Sequence, residues 1–195
     1  MRIIAGEMRS RTIVPPKGTD TRPTLDRTRE SLFNIIAAEC PDAQVLDLYA
    51  GSGALALEAI SRGAKSAVLC DCSREAAKAI RTNIAALRVE DRVRFLQMTD
   101  TQAISLLSRE KAAFDLVFLD PPYRLDTAPA CAQLAEAGVL VDGALVVIEH
   151  AANVTPAPGS HYRMTDQRKY RDTMITFYRY EVSANGETVD LSGQL

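Results

Sequence analysis

The sequence has no apolar run of about 18 residues, the length a helix needs to cross a bilayer. Its opening stretch, Met1 to Glu7, is too short and too charged to be the core of a secretory signal. A soluble, cytoplasmic chain with no membrane partner is expected. Paired Cys-x-x-Cys spacing is also missing: Cys40, Cys70, Cys72 and Cys131 stand without a nearby histidine pattern, so no zinc or other metal site is expected. Buried free thiols fit better, with Cys70 and Cys72 on one face at a strand end. There are no internal repeats and no low-complexity tracts. Strong charge of either sign is absent too, since 23 basic residues against 25 acidic leave a net charge of −2. A surface that is basic everywhere is thereby excluded.

What is present is uneven. Residues 1–29 hold seven basic side chains, Arg2, Arg9, Arg11, Lys17, Arg22, Arg27 and Arg29, against Glu7, Asp20 and Asp26. A basic N-terminal arm on an acidic body attracts a polyanion to one side only, although arginines of this kind also occur as ordinary solvated surface. At 195 residues and 47% apolar, the chain has material for one sizeable core. It divides into an arm at 1–24, a body at 25–182 and a polar tail at 183–195 that is expected to be loosely ordered.

Short apolar stretches at 3–5 and 12–14 flank a polar segment and suit a β-hairpin or extended arm, ended by Pro15-Pro16-Lys17-Gly18. A helix is expected from Asp26, capped by Thr24 or Asp26 and stopping near Cys40-Pro41. Strands then alternate with helices: strands at 44–48, 66–70, 92–96, 114–119 and 144–149, and helices at 54–62, 74–87, 101–108 and 127–137. Continuous apolar strands separated by helices predict a doubly wound, mainly parallel α/β sheet. Segments 162–169 and 174–180, a few polar residues apart, predict an antiparallel pair that closes it.

Two motifs carry chemistry. After the first core strand stands Asp47-Leu48-Tyr49-Ala50-Gly51-Ser52-Gly53-Ala54, where glycines let the backbone approach a ligand. With Ala56 and Asp71 the same loop also satisfies a dinucleotide fingerprint. Charge favours one choice. A carboxylate at Asp47 repels a pyrophosphate but attracts the α-ammonium of S-adenosylmethionine. Asp71, followed by Cys72, suits ribose hydroxyls with either cofactor. Asp100, preceded by Thr99, either accepts from the adenine amine or caps the helix expected at Thr101.

The second motif is Asp120-Pro121-Pro122-Tyr123, after the fourth core strand. An exocyclic base amine is a weak nucleophile because its lone pair is delocalised into the ring. Asp120 and the Pro121 carbonyl can each accept an amine hydrogen and aim that lone pair at a methyl group. Consecutive prolines hold the acceptors still, and Tyr123 offers a face for a base drawn out of its stack. A plain strand-ending turn is the alternative.

Together the motifs resemble the amino-methyltransferases of nucleic-acid bases. Five ordered blocks narrow this: Met1-Arg-Ile-Ile-Ala-Gly-Glu7, Arg22-Pro-Thr-x-Asp-Arg-x-Arg-Glu30, Asp47 to Ala54, Leu57-Glu-Ala-x-Ser-Arg-Gly63 and Phe114 to Tyr123. In this order they resemble the bacterial small-subunit (16S) ribosomal RNA guanine-N2 methyltransferase family, of the methyltransferase D type, from residue 1 to about 180. The resemblance implies the Rossmann-like fold of class I methyltransferases and S-adenosylmethionine as cofactor. It further implies transfer of one methyl to guanine N2 in small-subunit ribosomal RNA, in a partly or fully assembled 30S particle. Asp47, Ala50, Gly51, Ser52, Gly53, Asp71, Cys72, Thr99 and Asp100 are then the donor-site residues, and Asp120 to Tyr123 face the target base. Arg2, Arg9, Arg11, Arg22 and Arg27 are the expected RNA contacts, and a monomer is expected. Methylation of DNA or of adenine N6 in another RNA, and a non-catalytic assembly factor, stay open as alternatives. Three positions depart from the family: Met8 where tryptophan is usual, Asp71 where glutamate is frequent, and Arg171 in place of a glycine.

Overall fold

From Gln44 onward, the apolar runs become strands of a single sheet in the order β3-β2-β1-β4-β5-β7-β6. The computed structural model describes residues 1–17, 23–122 and 125–182, with the side chains of 23–25 left aside. Arg22, Tyr123 and the tail at 183–195 lie outside the described residues. The parallel strands are β1 (Gln44–Asp47), β2 (Ser66–Cys70), β3 (Val93–Leu96), β4 (Phe114–Leu119) and β5 (Leu140–Ala151). β6 (Tyr162–Tyr170) and β7 (Thr173–Tyr180) form the expected antiparallel pair, with β7 lying against β5. Helices α1 (Pro23–Ile35), α2 (Ala54–Ser61), α3 (Arg74–Leu87), α4 (Asp100–Arg109) and α5 (Ala128–Glu136) fill the connections, with one 3₁₀ turn at Ala37–Glu39 after α1. No described helix is long and apolar enough to cross a membrane.

Strand alternation sorts the side chains onto two faces. Val45, Ala67, Leu69, Leu116, Phe118, Leu145 and Val147 pack under α1, α2 and α3 through Leu32, Phe33, Leu57 and Ile80. Leu46, Cys70, Val117, Leu119, Val146 and Ile148 pack under α4 and α5 through Ile104, Leu107, Cys131 and Leu134. Each face is buried, which is why the strands read as unbroken apolar runs.

Boundaries moved where tertiary pairing overrode local pattern. β5 begins at Leu140, opposite Phe114, crosses an irregularity around Gly143 and resumes in register at Leu145. It then continues to Ala151, because Glu149, His150 and Ala151 pair with Ile175, Met174 and Thr173 of β7. α4 starts at Asp100, with Thr99 as its cap: the Thr99 hydroxyl accepts from Gln102 N, and the Gln102 side chain accepts from Thr99 N. Asp100 is therefore not the cap. Cys40, Cys70 and Cys131 are buried free thiols, but Cys72, two residues past the end of β2, is exposed.

The N-terminal segment turns back on itself through one antiparallel bridge, Arg2 to Thr12, flanked by Ile3 N to Arg11 O (2.9 Å) and Ile13 N to Met1 O (3.1 Å), and lies against the body with Ile3, Met8 and Ile13 buried. Buried Glu58 on α2 accepts from Ile4 N (2.7 Å) and Ala5 N (3.0 Å) and pairs with Arg62 Nε (2.8 Å). Gly6 has φ +83, and a Cβ there would stand 1.7 Å from the Ser61 carbonyl oxygen, so no other residue fits. Blocks 1–7 and 57–63, distant in sequence, are one packed unit.

Candidate active site

Asp47, Asp71 and Asp120 stand at or one residue beyond the carboxyl ends of β1, β2 and β4, and Glu149 stands one residue beyond the last β5 residue paired with β4. All four belong to the alternation that faces α1, α2 and α3. Strand order places them side by side in the sequence Asp71, Asp47, Asp120, Glu149. β1 is flanked by β2 on one side and β4 on the other, so the connections leave in opposite directions there. That is the switch point at which open α/β sheets bind ligands.

Two concavities open over this edge. A cavity of about 260 Å³ is lined by Asp47, Asp120, Glu149, Ala50, Gly51 and Ser52, closed from the α1 side by Thr28, Arg29 and Leu32 and from the N-terminal segment by Met1 and Pro16. A broader cleft of about 520 Å³ runs past Gly51, Asp71, Cys72 and Ser73 to Asp120, Pro121 and Pro122, and Tyr49 borders both.

The glycine loop is held from several directions. Ala50 N donates to Cys70 O (3.0 Å) and Gly53 N to Ala50 O (2.6 Å), turning the chain sharply after β1. Asn83 of α3 donates to Ser52 O (2.8 Å) and to Val14 O (2.8 Å), tying the loop to the N-terminal segment from behind. Gly51 has φ +55 with nothing within 4 Å of a built Cβ, so it presents open backbone to the cleft. Gly53 lines neither concavity among the described residues. Its φ of +79 and the Leu69 side chain 2.7 Å from a built Cβ make it a packing glycine at the start of α2.

The acids differ in their surroundings. Asp71 accepts from Gly51 N (2.9 Å) and Ser73 N (2.8 Å), so its carboxylate faces the cleft in a fixed orientation. Asp47 is buried, and neither of its carboxyl oxygens has a hydrogen-bond partner among the described residues. Burial above all, with Asp120 and Asp71 adding repulsion, pushes its pKa up to about 8; the backbone amides of Ala56 and Tyr49 lie near enough to oppose the rise but not in hydrogen-bonding geometry. Water reaches Asp120 in the open cleft, while the protein crowding its carboxyl raises it to about 6. Burial, then the charge of Asp120, pushes Glu149 up to about 8. An orphaned buried carboxylate costs several kcal/mol unless a cation or donor reaches it, so this cavity is built for a cationic ligand. Asp47 beside open glycine backbone and a fixed Asp71 fits a donor bearing an α-ammonium and a ribose.

Other expected positions fall differently. Asp100 and Thr99 line neither concavity among the described residues; instead Tyr49 Oη donates to Asp100 Oδ2 (2.7 Å), which sets the tyrosine ring bordering both. The Pro122 carbonyl accepts from Leu125 N (2.8 Å), leaving the Pro121 carbonyl as the backbone acceptor beside Asp120. Arg2, Arg9 and Arg27 are exposed. Arg11 is exposed as well, and its guanidinium donates to Leu87 O (3.2 Å) and Ala86 O at the end of α3. Sequence reasoning missed Glu149 and Arg29 as cavity residues. An acid at the carboxyl end of a fifth parallel strand was the available signal for the first. For buried Arg29, the signal was an arginine on the apolar stripe of α1.

The family model described as Conserved hypothetical protein 95 matches residues 1–179. Ribosomal RNA small subunit methyltransferase D of Escherichia coli K12 is 34% identical over 190 residues, 96% of this chain and 93% of its own. The Bacillus subtilis protein YlbH is 31% identical over 181 residues, 92% of this chain and 98% of its own. Among solved structures, yhhF from Escherichia coli superposes with a TM-score of 0.80 at 33% identity, covering 94% of this chain and 99% of that one. A hypothetical protein of Thermus thermophilus gives 0.78 at 27% identity, covering 93% and 99%. The five sequence blocks, the 3-2-1-4-5-7-6 sheet of class I methyltransferases and these matches agree: the chain belongs to the Conserved hypothetical protein 95 family, together with the small-subunit ribosomal RNA methyltransferase D proteins.

Proposed function

We propose that this chain is an S-adenosylmethionine-dependent methyltransferase that modifies N2 of one guanine in small-subunit ribosomal RNA, within an assembling or assembled 30S particle. The observation that carries the reading is the partnerless buried carboxyl of Asp47 in the same cavity as Asp120. The relatives named methyltransferase D supply the class of RNA, and the resemblance supplies the guanine.

S-adenosylmethionine, when bound, supplies an electrophilic methyl group on a sulfonium. Asp47 holds its α-ammonium, and Asp71, already fixed by the Gly51 and Ser73 amides, receives the ribose hydroxyls. Gly51, Ser52, Ala50 and Cys72 wall the donor, and Asp100 acts through Tyr49. Asp120 and the Pro121 carbonyl accept the two amine hydrogens and orient the nitrogen lone pair. The proton leaves after the amine becomes cationic, so a carboxylate of ordinary basicity suffices as its acceptor. Tyr123, outside the described residues, takes the face of the base in this reading, and exposed Arg2, Arg9 and Arg27, with Arg22, take phosphates.

The test is to incubate the purified protein and labelled donor with immature small subunits, naked 16S ribosomal RNA and duplex DNA. Label recovered as N2-methylguanosine from RNA is expected. Label in DNA alone, or as N6-methyladenosine, overturns the reading.

A further inference from the structure

Glu149 is left over once the donor and the amine have been given their partners. It borders the cavity shared with Asp47 and Asp120. It also borders a small pocket of about 30 Å³ that reaches Pro121 and Pro122 from the other side. Leu119 and Ile148 are partners across β4 and β5, so Asp120 and Glu149, one residue further, project side by side from strands about 4.8 Å apart. Among the described residues, the Glu149 carboxyl has no hydrogen bond and no ion pair.

Two neighbouring carboxylates, with no cation between them among the described residues, form a surface of acceptors only when both are ionised. The bases with a methylatable amine differ in what stands next to it. In adenine the amine neighbours a bare ring nitrogen, N1, and in cytosine it neighbours N3; both are acceptors and face a carboxylate unfavourably. In guanine the 2-amine has N1–H on one side and bare N3 on the other, so on its N1 side the amine and its neighbour form an adjacent pair of donors that neither adenine nor cytosine has. We infer that Glu149 accepts the ring N1–H of the target guanine, beside the N2 amine held by Asp120 and the Pro121 carbonyl, and so selects the base. This rests on the amine-methylating reading above and adds to it the residue that distinguishes guanine.

Protonation decides the sense of the readout. Without a bound cation, burial and Asp120 keep Glu149 high, at about 8. An ammonium over Asp47 and the positive charge developing on the amine favour its carboxylate. The protonated acid presents an O–H and suits an acceptor ring nitrogen instead. 2-Aminopurine separates the two states, because it keeps the 2-amine but has a bare N1.

The experiment uses small subunits reconstituted with 16S ribosomal RNA carrying either guanine or 2-aminopurine at the position wild-type enzyme labels, and compares wild type with Glu149→Gln. Wild type is expected to favour guanine by about 10- to 100-fold, the worth of one good base contact. In Glu149→Gln the ratio falls toward one, because the amide turns to donate to the bare nitrogen. A ratio compares two substrates on one preparation, so partial misfolding cancels. An unchanged ratio in the variant, or wild type favouring 2-aminopurine, overturns the assignment of Glu149. No label on any guanine-containing particle instead overturns the methyl-transfer reading on which it rests.

Discussion

The row of acids at the sheet edge has two halves that are held differently. On the β2 and β1 side, Asp71 is locked by two backbone amides, and Asp47 is sealed under the glycine loop with no partner. On the β4 and β5 side, Asp120 is open to water and stands beside Glu149, whose ionisation burial and the charge of Asp120 make costly. The first half is prepared for one cation of fixed shape, whose binding supplies what Asp47 lacks. The second is a pair of acceptors aimed at whatever donor edge enters the cleft. Donor affinity and turnover are thereby assigned to different strands, so substitutions can separate them.

The largest effect is expected for Asp120→Ala. Turnover falls about 10²- to 10³-fold, as for loss of a positioning acceptor, while donor affinity by calorimetry stays near that of wild type. A parallel loss of donor affinity breaks the division into halves. Asp47→Asn inverts the pattern. Donor affinity drops by about 10- to 100-fold, the worth of a charge-assisted hydrogen bond. The ligand-free protein becomes more stable by on the order of 1–3 kcal/mol at pH 8. The sign follows from linkage: Asp47 is raised to about 8 in the fold, so wild-type stability is full below the ordinary carboxyl value and declines as pH rises toward 8. Melting curves from pH 4 to 8 should therefore show the gain of Asp47→Asn appear only as pH rises. A constant gain contradicts the buried-acid account.

A smaller effect is expected for Asp71→Ala, which strips the Gly51 and Ser73 amides of their acceptor. Stability falls about 1–2 kcal/mol and donor affinity about tenfold, with the rate at saturating donor kept. A change in that rate instead joins Asp71 to the second half. The smallest is Arg171→Gly, at the tip of the β6–β7 hairpin. Arg171 sits at φ +55, where a side chain is strained, so glycine should stabilise by about 0.5–1 kcal/mol in urea denaturation and touch neither half. A loss of stability there shows that the arginine side chain contributes more than its backbone costs.

Legibility followed the range of the forces involved. The glycine loop and Asp120-Pro121-Pro122 were readable because each is a local device: a turn that needs positive φ, and an acceptor fixed by proline rings. Asp100 is not the cap, which is Thr99, and its link to Tyr49, 51 positions earlier, could not be read from the sequence. The contact of Arg11 with the end of α3 joins positions more than 70 residues apart and has no local signature. The N-terminal segment looked like an arm, since nothing in residues 1–17 announces the buried Glu58 that holds it down.

By itself the sequence determined what periodicity and single-residue stereochemistry control: which segments are strands, which face each side chain takes, where the backbone must open around Gly51, and which acids follow strand ends. Only the tertiary structure decided which of those ends are neighbours. Strand order depends on hydrogen bonds and packing between segments tens of residues apart, and these leave no trace in a local pattern. That order set Glu149 beside Asp120 and left Asp47 buried without a partner at the centre of the edge.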